Sequence, residues 1–181
     1  MTRRELNDQE YTLVTDAITR VLQTLPWYPD HVDMSRLRFV IETDNYAPAN
    51  MIIRRSDVDV IILYEATANG DSLALDLVII QELHNVNINF PTPQDIAIRP
   101  ELTREQNATG YAVAIESLEI GGSINGLLHT LLTTGNIPNT PFNRSVMLYR
   151  AGHHEPYYEL LNVHRPTNVY HQRYLDAYPL I

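Results

Sequence analysis

Apolar positions recur along this chain with two different periods, and the change from one to the other sets the expected layout. From about Asp8 to Leu25, the residues Val14, Ala17, Ile18, Val21, Leu22 and Leu25 fall three or four apart, the spacing that lines one face of a helix. Asn7, followed three residues later by Glu10, has the form of a capping box, and Pro26 ends the helix because proline lacks the N–H that another turn would use. Between Arg36 and Glu42 the period drops to two. Leu37, Phe39 and Ile41 alternate with Arg38, Val40 and Glu42, as in a half-buried strand.

A polar turn is expected from Asp44 to Pro48. The stretches Met51 to Glu65 and Leu73 to His84 are both rich in Val, Ile and Leu. Asn69-Gly70 lies between them, and its tolerance of positive φ suits a hairpin, so two long antiparallel strands are expected, the second continuing or bending near Pro91. Residues 92–109 are polar and broken by Pro93 and Pro100, which reads as an excursion within one domain. Tyr111 to Ile120 alternates like a strand, while Glu101 to Glu116 also fits a helix; the strand is the preferred reading. After Gly121-Gly122, Ser123 caps a second expected helix with an apolar stripe of Ile124, Leu127, Leu128, Leu131 and Leu132. Ser145 to Arg150 and Tyr157 to Val163 are read as a last hairpin, and the extended tail at 164–181 as carrying one short helix. The expected fold class is α+β: a single domain over 1–181, mainly antiparallel sheet, with the N-terminal and second helices packed on one face.

Composition narrows the chemistry. The chain has no cysteine, which removes disulfides, thiolate metal sites and cysteine nucleophiles. A hydrophobic fraction of 44% with 19% charged residues is that of a folded globular protein. The first ten residues carry two arginines but lead into no apolar run, so neither a signal peptide nor a membrane anchor is expected, and synthesis in the cytoplasm is. A net charge of -9 repels phosphate backbones, so no sequence-specific nucleic-acid partner is expected; Arg54-Arg55 is the nearest thing to a basic patch.

The most enzyme-like string is Ser56-Asp57-Val58-Asp59-Val60, with Asp76 on what is read as the next strand. Two acids one residue apart on a strand, with a third on its neighbour, can hold divalent metal and triphosphate. This resembles the nucleotidyltransferase superfamily. That resemblance implies catalytic roles for Asp57, Asp59 and Asp76, but the Gly-Ser pair the family places before the acids is missing from Asp44 to Asn50. The competing reading puts both acids on the solvent face of a half-buried strand, and it is preferred. His153-His154-Glu155, with His164 and His171, has imidazoles but no zinc-binding spacing, so a solvated turn is expected; His129 is read as a helix-surface residue. Nucleophile-elbow and phosphate-loop motifs are absent. No cofactor or metal is expected.

The eleven tyrosines are the remaining signal. Tyr157, Tyr158, Tyr170, Tyr174 and Tyr178 gather near the end, and a large apolar body with a polar tip suits a contact surface; core packing is the alternative for about half of them. An acidic, cysteine-free α+β chain with such a tail and no intact catalytic motif resembles a bacteriophage virion protein of the tail-terminator or neck type. That resemblance of layout implies a non-enzymatic structural role in the virion and assembly with copies of itself or with other virion proteins. It also implies a ring whose acidic lumen lets DNA pass without sticking.

Overall fold

A computed structural model describes residues 2–28, 32–43, 51–54 and 57–179, with the backbone alone at 51–54. Two compact units emerge: Met1–Asn87 with Asn125–Ile137, and Ile88–Ile124 with Pro138–Ile181.

The first unit begins with β1 (Arg3–Glu5) and α1 (Asp8–Thr24). The capping box forms as the sequence implies. Asn7 Oδ1 accepts from Glu10 N at 2.9 Å, and Glu10 Oε2 accepts from Asn7 N at 2.9 Å, so two otherwise unsatisfied amides at the helix start find partners. A single 3-10 turn at Met34–Arg36 leads into β2 (Leu37–Glu42), followed by β3 (Met51–Arg54) and β4 (Asp59–Tyr64). The sheet is mixed, in the order β1-β2-β4-β3. β2 and β4 run parallel, Leu37 opposite Asp59 and Glu42 opposite Tyr64, while β1 and β3 pair antiparallel on the outside. β4 leads into α2 (Glu65–Ala68) and then α3 (Ser72–Val86), which starts at Asp71, whose Oδ1 accepts from Ala74 N.

Val14, Ala17, Val21 and Leu25 from α1, Ile41, Ile61 and Leu63 from the sheet, and Leu75, Ile79, Ile80 and Leu83 from α3 make one core. Each fully buried Leu or Ile contributes about 2 kcal/mol over leaving it exposed. Tyr28 is buried just beyond α1, and its hydroxyl donates to the Ile80 carbonyl, which fastens the turn to α3. The helix α4 (Arg104–Thr134) contributes residues 125–134 to this unit. Gly126 lets α4 approach α3 closely: a Cβ there would sit 3.2 Å from Leu77 Cδ2.

The second unit holds the first part of α4 with α5 (Pro141–Arg150), α6 (Glu155–Leu160) and α7 (Val169–Ala177). Its core is Ala108, Tyr111, Ile115, Tyr174 and Leu175. The polar excursion is tied down. Thr92 and Asp95 form a capping box, and the Asn107 side chain accepts from Arg99 N at 3.0 Å and donates to the Arg99 and Thr103 carbonyls. Arg104 donates to the carbonyls of Leu175 and Tyr178, supplying from α4 the positive charge that the last turn of α7 lacks.

The mainly antiparallel sheet is therefore wrong. Among the described residues there are seven α-helices and one small mixed sheet. Leu73 to His84 is helix because it is buried on nearly every side, and a run of apolar residues all round a helix hides its period. Asn69-Gly70 turns one helix into the next: Asn69 is the C-cap of α2, and a Cβ on Gly70 would meet the Ala66 carbonyl oxygen at 2.7 Å. Tyr111 to Ile120 is helical too. α4 runs straight through Gly121-Gly122, so the expected second helix is only the end of a 31-residue one. The last hairpin is the helix pair α5–α6, while the short helix expected in the tail is present as α7. The turn expected at 44–48, Arg55, Ser56 and the side chain of Arg54 fall outside the described residues.

Candidate functional site

Asp76, the third acid of the nucleotidyltransferase-like alternative, is the centre of a buried polar network in the first unit. Asp76 lies on α3 and is 1% exposed. Arg20 of α1 grips its carboxylate with Nη2 at 2.7 Å from Oδ1 and Nε at 3.1 Å from both oxygens. His129, on the end of α4 and fully buried, brings Nε2 to 3.0 Å from Asp76 Oδ2 and Nδ1 to 2.5 Å from Thr24 Oγ1. Because an ionised carboxylate only accepts, Nε2 donates to Asp76, while Nδ1 and the Thr24 hydroxyl share the second hydrogen bond. His129 is thus no surface residue.

The order hydroxyl, imidazole, carboxylate is that of a nucleophilic triad. Two features turn it to structure instead. The guanidinium fork occupies both oxygens of Asp76, and the carboxylate raises the Arg20 pKa through that hydrogen-bonded contact. The imidazole has no exposed surface from which to reach a substrate. The network fixes α1, α3 and α4 to one another and leaves no ligand position open on Asp76.

The other two acids lie elsewhere. Asp57 is exposed before β4, and Asp59 is the half-buried first residue of β4, facing Leu37 on one neighbour and Arg54 on the other. The expected third acid on a paired strand is on a helix instead. Among the described residues, no group of three or more His, Asp or Glu side chains is placed to hold a metal ion. His153 and His154 are exposed with Glu155, and with Leu148 and Pro156 they line an open depression of about 510 Å³. His154 stacks on Tyr149 with ring centroids 4.1 Å apart. His164 is exposed, whereas His171 is fully buried, with Nδ1 2.9 Å from the Val163 carbonyl and Nε2 buried without a hydrogen-bond partner.

Two further networks were not legible as sites. In the first unit, Glu10 is buried and receives both arms of Arg4 at 2.6 and 2.7 Å, with Asn69 at 3.1 Å; Arg4 reaches on to Glu65 at 2.7 Å. The Arg4 guanidinium overrides the cost of burial and holds the Glu10 carboxyl down at about 2. In the second unit, Glu116 and Glu119 stand one turn apart on α4. Burial pushes Glu116 up to about 7, although Asn168 Nδ2 donates to it at 2.9 Å. Burial raises Glu119 as well, and Tyr170 donates to it at 2.5 Å. The signal for this pair was the i, i+3 spacing of two acids within an apolar run, visible only once 111–120 is read as helix.

The tail tyrosines serve the interior of the second unit. Tyr157 and Tyr174 are each 2% exposed. Tyr158 is half-buried and bonded to Ser117 at 2.6 Å, and its own pKa is pushed up to about 12, chiefly by burial. Tyr170 and Tyr178 are also half-buried.

The surface supplies the remaining features. On α5, Ser145 and Val146 are buried while Met147 and Leu148 point outward at 52% and 41% exposure. In the first unit a groove of about 390 Å³ lies between α1 and β2, lined by Tyr11, Ile18, Met34, Leu37 and Phe39, with Glu5 and Arg38 at its edges. Comparison with family models, curated proteins and solved structures found no match. Among the described residues, no helix is long and apolar enough to cross a membrane.

Proposed function

We propose that the chain is a non-enzymatic structural component of a macromolecular assembly, of the kind that builds the tail or neck of a bacteriophage particle. The observation that carries this reading is the outward apolar face of α5. Met147 and Leu148 sit opposite the buried Ser145 and Val146, so this helix presents apolar surface on both sides and covers only one of them. The strongest catalytic candidate, Asp76, is committed to Arg20 and His129, which removes the main support for a nucleotidyltransferase-like activity. The tail-terminator layout lends nothing further, because it rested on a mainly antiparallel sheet, and the sheet among the described residues is small and mixed.

Light scattering of the untagged protein over a range of concentrations tests the reading. A closed oligomer, or a mass that rises with concentration, is the expected result. A strict monomer at the highest concentration overturns it.

A further inference from the structure

The start of α7 meets α4 through two carboxyl groups. Asn168, the buried N-cap of α7, uses both ends of its amide. Its Oδ1 accepts from Tyr170 N at 3.0 Å and His171 N at 3.1 Å, which closes the first turn of the helix. Its Nδ2 donates to Glu116 Oε1 at 2.9 Å and to the Leu161 carbonyl at 3.1 Å, which ties that turn to α4 and to the end of α6. One turn further along α4, Glu119 accepts from the Tyr170 hydroxyl at 2.5 Å. The other end of α7 is fastened without a carboxyl. Tyr174 and Leu175 enter the core with Ala108, Tyr111 and Ile115, and Arg104 donates to the Leu175 and Tyr178 carbonyls.

Glu116 is 7% exposed, and its hydrogen-bond donor is a neutral amide. Around it stand Tyr157 from α6, Tyr170 from α7 and the Glu119 carboxyl on its own helix. The Arg173 guanidinium lies 5.3 Å from the centre of the Tyr170 ring and acts on Glu119. His171 is buried on the same turn of α7, with Nδ1 on the Val163 carbonyl. An ionised Glu116 in this place has lost its water and gained no cation, a cost that exposure relieves. Of its neighbours, α6 is anchored by the buried Tyr157 and by the Ser117–Tyr158 contact. The start of α7 hangs on the two carboxyl contacts themselves.

We propose that the first turn of α7 is a latch operated by a proton: with the proton on Glu116 the turn lies against α4, and on its loss the turn from Asn168 to Tyr170 swings off while Tyr174 and Leu175 stay docked. This device goes beyond the assembly reading and does not depend on it.

Hydrogen exchange of the full chain, followed by NMR, reads the latch at the amides of Tyr170, His171 and Gln172, all of which bond to Asn168. Glu116 sits at about 7 in the closed turn and returns to the ordinary 4.5 once exposed, so the open fraction grows about tenfold between pH 6 and pH 8. Protection at the three amides, corrected for the intrinsic rate at each pH, is expected to fall by about that factor. It should also lie below the protection of Ala112 and Ile115 in α4 at both pH values, because the turn opens while the rest of the unit stays folded. Glu116→Gln keeps an acceptor for Asn168 and cannot ionise, so most of the fall should vanish in that variant, although Glu119 and His171 remain. Protection equal to that of Ile115 would mean that the turn opens only when the whole unit unfolds. Protection that ignores pH, or a fall that persists in Glu116→Gln, would mean that no proton on Glu116 holds it. Any of the three overturns the latch.

Discussion

His129 Nε2 lies 3.0 Å from Asp76 Oδ2, joining residues 53 positions apart in a site closed to solvent. Both oxygens of Asp76 are engaged, one face by the Arg20 fork and one by the imidazole. Asp76→Ala therefore leaves a buried imidazole and a part-buried guanidinium without their acceptor and is expected to cost about 3 kcal/mol or more. Thr24→Val, which keeps the shape and deletes the hydroxyl, should cost about 1 kcal/mol. Urea unfolding of the two variants checks this, and equal costs would mean that the carboxylate is not the centre of the network.

Glu116 gives the second unit a stability that depends on pH near neutrality. Its folded pKa of about 7 lies above the ordinary 4.5, so the folded unit holds a proton there that the unfolded chain has released. Stability from this group is complete below about 4.5, is lost as pH rises toward 7, and is level above that. The loss amounts to about 3 kcal/mol. The groups facing it are Asn168 and Tyr170 of the α7 region, Tyr157 of α6 and Glu119 on its own helix, and Glu119 is raised in the same direction. Glu116→Gln keeps the acceptor for Asn168 and removes the charge, so its unfolding curves at pH 5 and pH 8 should lie closer together than those of the wild type. An unchanged separation would place the pH dependence elsewhere.

Glu10 acts in the opposite sense and in a lower window. Its folded pKa of about 2 lies below 4.5, so the stability it brings is present above about 4.5 and disappears as pH falls toward 2. Glu10→Gln should move the midpoint of acid unfolding to higher pH. Asn7→Ala, which breaks the other half of the capping box, should cost about 1 kcal/mol at neutral pH. Acid titration followed by circular dichroism reads both effects.

Two glycines should respond differently to alanine. At Gly70 the new methyl meets the Ala66 carbonyl oxygen at 2.7 Å, a backbone atom that moves only with the chain, so Gly70→Ala is expected to cost about 1–3 kcal/mol. At Gly126 the nearest atom is the end of the Leu77 side chain at 3.2 Å, which can rotate away. There the helix-forming advantage of alanine, about 1 kcal/mol, offsets the crowding and leaves Gly126→Ala close to neutral. Thermal unfolding of the pair tests the contrast.

The first helix was legible because its signals agree: the capping box, the apolar spacing and Pro26 all mark the same element. β2 was legible as a strand from its alternation, although Glu42, on the side expected to be polar, is buried beside Arg3. α3 was not, since burial around the whole helix leaves no polar stripe to betray the period. The acid within it was the available clue. A strand reading lets Asp76 face water, whereas a helix this apolar forces it inward, where it requires a cation, and Arg20 at the matching level of α1 supplies one. α4 was divided in error because Gly121-Gly122 carries a turn signature that its apolar neighbours override. His129 followed that error: once residues 123–135 are taken as a separate surface helix, a histidine there has no reason to be buried.

The raised Glu116 also makes folding of the second unit a reaction that consumes a hydrogen ion at pH 6 to 7. Unfolding returns that ion to the solution, where the buffer absorbs it and contributes its own heat of protonation. A calorimeter would then record different enthalpies in phosphate and in Tris for the same structural change. The difference between the two traces counts the ions exchanged, without a single substitution in the chain.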